Sequence, residues 1–205
     1  MSEPGAPSPG DAVGPYTLVE LLGSGGMGEV WRAADGRPGA DPAEVAVKLI
    51  REGRLDQPEA RARFRREVEA AGRVDAPEVA SVLDADPGGP HPWAATRFVA
   101  GPTLTERVTA GGPLGDDDLR ALGLGLARGL EAIHGAGVVH RDLTPGNVVL
   151  GADGPVIIDF GVARVDDTTT ITRAGSLVGT PAWMAKSSSS LFNRNPAPRT
   201  RMPLP

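Results

Sequence analysis

The chain has 205 residues, 40% hydrophobic and 23% charged, a balance that supports a buried core and excludes a largely disordered chain. A net charge of −5 disfavours a general binder of nucleic acid or anionic membrane, and the absence of cysteine excludes a disulfide framework, a thiolate metal site and a cysteine nucleophile. The three histidines are too scattered for a metal cluster, no run approaches the ~20 apolar residues of a membrane span, and MSEPGAPSPG is not an export signal, so the expectation is a soluble cytoplasmic protein.

Residues 1–15, with Pro4, Pro7, Pro9 and Pro15 among small residues, read as a flexible leader. Tyr16 to Leu22 reads as a strand, followed by Gly23-Ser24-Gly25-Gly26-Met27-Gly28 and a second strand from Glu29 to Ala33. After a Gly/Pro/Asp loop comes a strand from Val45 to Ile50. Its alternation sets Val45, Val47 and Leu49 on one face and Ala46, Lys48 and Ile50 on the other. Glu59 to Val74 reads as a helix with Phe64, Val68 and Ala71 on one side. A turn at 87–92 then precedes a strand from Trp93 to Val99.

Beyond Gly101 the pattern changes. Asp116-Asp117-Asp118 is an acidic start for a helix whose apolar stripe is Leu119, Leu122, Leu126, Leu130 and Ile133. Two short strands follow, Asn147–Leu150 and Val156–Asp159, and then a Thr-rich loop from Asp166 to Thr180. From Lys186 on, four basic residues, no acid, a serine run and four prolines predict a disordered, atypical tail.

Five motifs carry chemistry, and each has a plainer reading. Gly23, Gly25 and Gly28 let backbone amides approach phosphate oxygens, or make an ordinary turn between strands. Lys48 shares a face with the small Ala46, as a lysine reaching into a cleft would, or it is a solvated strand lysine. Glu67 lies near the apolar side of its helix, where it serves as a partner for Lys48 or as a surface carboxylate among arginines. In His140-Arg141-Asp142-Leu143-Thr144-Pro145-Gly146-Asn147 an aspartate and an asparagine five residues apart suit a proton acceptor and a metal ligand. Asp159-Phe160-Gly161 follows an apolar strand, placing a carboxylate for Mg²⁺ or making an Asp-x-Gly turn.

In this order and spacing the five motifs resemble the signature set of eukaryotic-type Ser/Thr protein kinases, most similar to the bacterial members, over roughly residues 16–184. The resemblance implies an α+β, protein-kinase-like bilobal fold. Residues 16–100 form an N-lobe of five strands and one helix, 101–185 a partial, mainly helical C-lobe, and 186–205 the tail. It further implies ATP and Mg²⁺ as cofactors. Gly23, Gly25 and Gly28 would cover the phosphates, and Lys48 would hold them while pairing with Glu67. Asp142 would orient the substrate hydroxyl and take its proton, and Asn147 and Asp159 would hold Mg²⁺. Val30, Ala46 and Val149 would sandwich the adenine, with Thr96 behind it and the backbone of Arg97 to Val99 at its edge. Gly179-Thr180-Pro181-Ala182-Trp183 resembles the segment that receives Ser/Thr protein substrates. Thr170 and Thr172 are implied sites of autophosphorylation or self-association, a phosphate there facing Arg141.

Two departures from the family pattern set an alternative. Thr144 stands where family members carry a lysine that neutralises the transferred phosphate, and after Ala185 the sequence leaves the family for Lys186-Ser187-Ser188. That expectation is a truncated kinase fold, with its leucine stripe poorly covered, that binds nucleotide or a partner kinase without turnover. Small-molecule phosphotransferases of the same fold are a third reading, disfavoured by the complete glycine loop, Arg141 and the Gly179-Thr180-Pro181 segment.

Overall fold

The computed structural model describes residues 6–26, 28–51 and 53–159. Met27, Phe160, Gly161, the Thr-rich loop, the Gly179–Trp183 segment and the tail lie outside the described residues.

Six strands, β1 (Ala12–Val13), β2 (Tyr16–Gly25), β3 (Gly28–Asp35), β4 (Glu44–Ile50), β5 (Val82–Asp86) and β6 (Trp93–Arg97), form an antiparallel sheet in the order β1-β2-β3-β4-β6-β5. This is one strand more than expected, and it comes from the leader. Gly14 turns with φ 57°, so Ala12 and Val13 fold back on Thr17 and Tyr16, while Leu18 exchanges backbone bonds with Gly10 and Asp11 at 2.8 and 2.9 Å. From Gly10 onward the leader is therefore hydrogen-bonded to the sheet. The short β5 has no clean alternation in Val-Leu-Asp-Ala-Asp, which is why the sequence does not mark it.

Strand alternation sorts the two faces as expected. Val45, Val47, Trp31, Trp93 and Ala95 join Tyr16 in a buried cluster on one face, with Trp93 edge-on to Tyr16 at 5.5 Å. Ala46, Lys48, Ala94 and Thr96 face the other way, toward a cavity.

Helix α1 (Pro58–Ala71) starts with Pro58 in its first turn, where a missing N–H costs nothing. Its Phe64 is fully buried in a second core with Ile133 and Ile157, a burial worth about 1.5–3 kcal/mol. Helix α2 (Leu104–Gly111) was not assigned from sequence, although Thr103-x-x-Glu106 spells a capping box and the structure makes both of its bonds. Helix α3 (Asp116–Gly135) packs on the hairpin of β7 (Val148–Gly151) and β8 (Gly154–Ile157).

The predicted stripe of α3 is corrected in detail. Leu122 and Ile133 are buried and Leu126 and Leu130 pack at the core edge, but Leu119 is 56% exposed. The close approach to β8 is made instead by two glycines: a Cβ at Gly125 would overlap Pro155 Cγ, and one at Gly129 would stand 2.9 Å from Ile157 Cδ1 and 3.1 Å from the Glu78 carbonyl oxygen. Among the described residues no helix is long and apolar enough to cross a membrane.

Candidate functional site

A cavity of about 400 Å³ lies between the inner face of the sheet and the β7–β8 hairpin. Val30 and Ala46 line it from β3 and β4, Val149 from β7, and Thr96 and Val99 from β6 and the chain beyond it. These walls are apolar and the residues at Ala46, Ala94 and Thr96 are small, which leaves room for a flat ring. Lys48, Asn147 and Asp159 share this cavity, with Arg97, Thr103 and Glu106 also in its lining.

Lys48 Nζ meets Asp159 Oδ1 at 2.5 Å, joining two residues 111 positions apart in the chain. Asp159 is held with φ 56° and Arg141 with φ 62°, the only non-glycine residues in the left-handed region among those described. Such backbone is costly for an ordinary residue and persists where surrounding contacts enforce it. Those contacts are present. Ile158 N donates to the Asn147 carbonyl at 3.0 Å, and the Asn147 side-chain amide donates to the Asp142 carbonyl at 2.8 Å. The amide oxygen of Asn147 is thereby left as an acceptor.

Buried His140 joins the two loops. The Asp142 N–H donates to its Nδ1 at 3.3 Å, so Nε2 carries the proton and donates to the Ile158 carbonyl at 3.3 Å. Burial pushes the His140 pKa below its ordinary value, against the opposing pull of Ile158, Asp159 and Asp142, which keeps the ring neutral and this tautomer in place.

Glu67 is a correction. The expected pair with Lys48 is not made: Glu67 Oε1 lies 3.6 Å from Arg141 Nη1, outside the cavity lining. Among the described residues its Oε2 is buried with no hydrogen-bond partner. Burial pushes the Glu67 pKa up, opposed by Arg141, Arg63 and Arg66. The physical reason is competition for partners and hydration. Lys48 is spent on Asp159, and a guanidinium suits a half-buried carboxylate better than the more strongly hydrated ammonium.

Of the glycines, Gly23 lines the cavity while Gly25 and Gly28 do not. Gly28, with φ 146°, lies so close to the Leu49 carbonyl that a Cβ would overlap it, so its observed role is in β3–β4 packing. Asp142 also lies outside the lining, on the loop that leads to Asn147. The sequence reading missed Leu22, Ala94, Thr103 and Glu106, which line the cavity too. Only Thr103 and Glu106 had a signal, the capping box.

A larger groove of about 750 Å³ runs between the leader and the chain at Pro90–Trp93. Its acids are engaged locally: Asp11 accepts from Ser8 N, Asp86 from Gly88 and Gly89 N, and Glu29 from the Trp31 indole. It lacks the convergence of a lysine with carboxylate and amide oxygens that marks the smaller cavity.

Asn147 and Asp159 offer hard oxygen donors, and among the described residues there is no cluster of three or more His, Cys, Asp or Glu. Two oxygen ligands suit Mg²⁺, which keeps water and phosphate oxygens in its remaining positions. The donor set therefore fits the metal.

A lysine, a carboxylate and an asparagine thus share a small-walled cavity beneath an antiparallel sheet, a class of site of which protein kinases are one case. The comparisons agree and are more specific. The family described as "Protein kinase domain" matches residues 16–188. "Probable serine/threonine-protein kinase PkwA" of Thermomonospora curvata is 47% identical over 96% of this chain and 26% of its own length. The crystal structure of the Mycobacterium tuberculosis PknI kinase domain superposes with a TM-score of 0.66 at 32% identity, covering 78% of this chain and 63% of that one. Rad53 1-466 in complex with AMP-PNP gives a TM-score of 0.61 at 25% identity over 72% of this chain and 38% of that one. The chain belongs to the protein kinase family, and it spans about a quarter of the length of the curated relative PkwA.

Proposed function

We propose that the chain acts as a protein serine/threonine kinase domain, binding ATP with Mg²⁺ in the 400 Å³ cavity and passing the γ-phosphoryl group to a Ser or Thr hydroxyl of a protein. The observation that carries this is the convergence of Lys48 and Asp159 at 2.5 Å beside Asn147. The named relatives, Ser/Thr kinases, and the AMP-PNP complex of Rad53 support the same reading.

Val30, Ala46 and Val149 hold the adenine between apolar faces, and Thr96 limits its depth. Gly23 and its loop lie over the phosphates, with Gly25 and Gly28 shaping that loop. Lys48 carries the positive charge that orients the α- and β-phosphates, and its contact with Asp159 keeps both side chains at the same end of the site. Asn147 and Asp159 would hold Mg²⁺, which when bound supplies a Lewis-acid charge against the phosphate oxygens. Asp142 orients the incoming hydroxyl and takes its proton as that oxygen bonds to the γ-phosphorus and the bond to the ADP oxygen breaks. Thr144 adds no charge next to the transferred group, so this site works with one cation fewer than the family pattern.

Thr170 and Thr172, outside the described residues, are the hydroxyls we assign to autophosphorylation, where a phosphate would compete with Glu67 for Arg141. The test is transfer from radiolabelled ATP in the presence of magnesium chloride, with Asp142→Asn as the control. Label on protein that disappears in Asp142→Asn supports the reading. Equal background in both, with the nucleotide bound, overturns it.

A further inference from the structure

The chain between α1 and β5 holds three parts of the molecule at once. Toward β8, the Glu78 carbonyl accepts from Ile157 N at 2.8 Å and Ala80 N donates to the Ile157 carbonyl at 2.9 Å, a parallel bridge at Val79. Toward the sheet, the Ser81 carbonyl accepts from Arg97 N at 2.9 Å. The carbonyls not used by β8, those of Pro77 and Val79, both accept from Arg97 Nη2, at 3.1 and 3.4 Å. The guanidinium thus stands where a neighbouring strand would otherwise supply donors. Backbone carbonyls in such a place need a partner, and a planar group with several N–H donors meets two of them from one side.

Arg97 is also the last residue of β6 and lines the cavity, while Ile157 ends β8 two residues before Asp159. Arg97 and Asp159 therefore belong to opposite walls of one site, and residues 77–81 form a hydrogen-bonded bridge between β6 and β8, beside the Leu150 N to Pro102 carbonyl bond and the Lys48–Asp159 contact. Asp159 sits in left-handed backbone, at φ 56°, which persists only while its flanking strand is anchored.

We infer that Arg97 is a positioning residue: its guanidinium clamps residues 77–81, which clamp β8, so that the side chain sets where Asp159 stands relative to the apolar end of the cavity. The clamp is independent of ligand, and its effect on nucleotide rests on the proposed function.

The test is Arg97→Met, which keeps an apolar stem and removes the donors, with Arg97→Lys as the conservative rescue. Amide exchange is read by NMR without ligand, and binding of adenosine and of ADP with magnesium chloride is read by calorimetry. The expected result is exchange about tenfold faster at Ile157 and Ala80 with no change at Trp31 in β3. Affinity for ADP with magnesium falls about fivefold, that for adenosine less than about twofold, and Arg97→Lys recovers most of both. Unchanged exchange at Ile157, or a uniform rise that includes Trp31, overturns the clamp. Equal losses for adenosine and ADP overturn its positioning role. If the unsubstituted chain binds neither compound, the nucleotide reading fails while the exchange result still decides the clamp. Should Arg97→Met not fold, Arg97→Gln, whose amide reaches one carbonyl, is read by the same criteria.

Discussion

Glu67 faces Arg141 at 3.6 Å rather than Lys48, and Lys48 faces Asp159 at 2.5 Å. Two carboxylates and two cations have been sorted so that the pair inside the cavity is the compact one. The pair outside it leaves Glu67 Oε2 buried without a hydrogen-bond partner among the described residues. A carboxylate left in that condition makes the state electrostatically costly, and the cost depends on pH.

The folded-state pKa of Glu67 lies above its ordinary 4.5, because burial disfavours the charged form. The folded state then binds more protons than the unfolded state, so Glu67 lowers stability as pH rises from 4.5 toward neutrality. Glu67→Gln removes that dependence. The difference in Tm, variant minus parent, is expected to grow as pH rises over that window. A difference that stays flat from acid to neutral pH would count against the burial argument.

Lys48→Met deletes the cation shared by Asp159 and the phosphates. Transfer to protein is expected to fall by about 10²–10³, the usual loss when one preorganised charge is removed from a phosphoryl or oxyanion site. Adenosine, which needs only the apolar walls, is expected to bind as before. Initial rates and an adenosine titration check this, and a variant that keeps its transfer rate removes Lys48 from the mechanism.

Thr144 sits directly before the Pro145–Asn147 turn that carries Asn147 to the cavity. Thr144→Lys brings a cation to the position that lacks one, and kcat is expected to rise about tenfold with little change in KM for ATP. Steady-state kinetics decide it. A rise in affinity with no rise in kcat would mean the new charge serves the ground state only.

Two glycines of α3 should respond in opposite directions to the same substitution. Gly123 has nothing within 4 Å of a built Cβ, so Gly123→Ala is expected to stabilise the fold by about 0.5–1 kcal/mol through the lower backbone entropy of the unfolded chain. A Cβ at Gly129 would stand 2.9 Å from Ile157 Cδ1 and 3.1 Å from the Glu78 carbonyl oxygen, so Gly129→Ala is expected to cost about 1–3 kcal/mol. Urea midpoints at constant slope report both. Equal shifts in one direction would show that α3 does not dock on β8 through Gly129.

The amino-acid sequence alone determined the local features: the alternation that sends Ala46 and Lys48 to one face of β4, the Phe64 side of α1, the acidic start of α3, and the motifs around Lys48, Asp142, Asn147 and Asp159. These depend on neighbours one to five residues away, which a one-dimensional pattern records. Only the tertiary structure decided which cation Glu67 meets, that Gly125 and Gly129 rather than Leu119 close α3 on β8, that the leader adds β1, and that Arg97 ties β6 to the strand before Asp159. Each of those outcomes is a competition between distant groups for the same charge, space or carbonyl. Such a competition is settled by distance and burial, quantities that arise when the chain closes on itself.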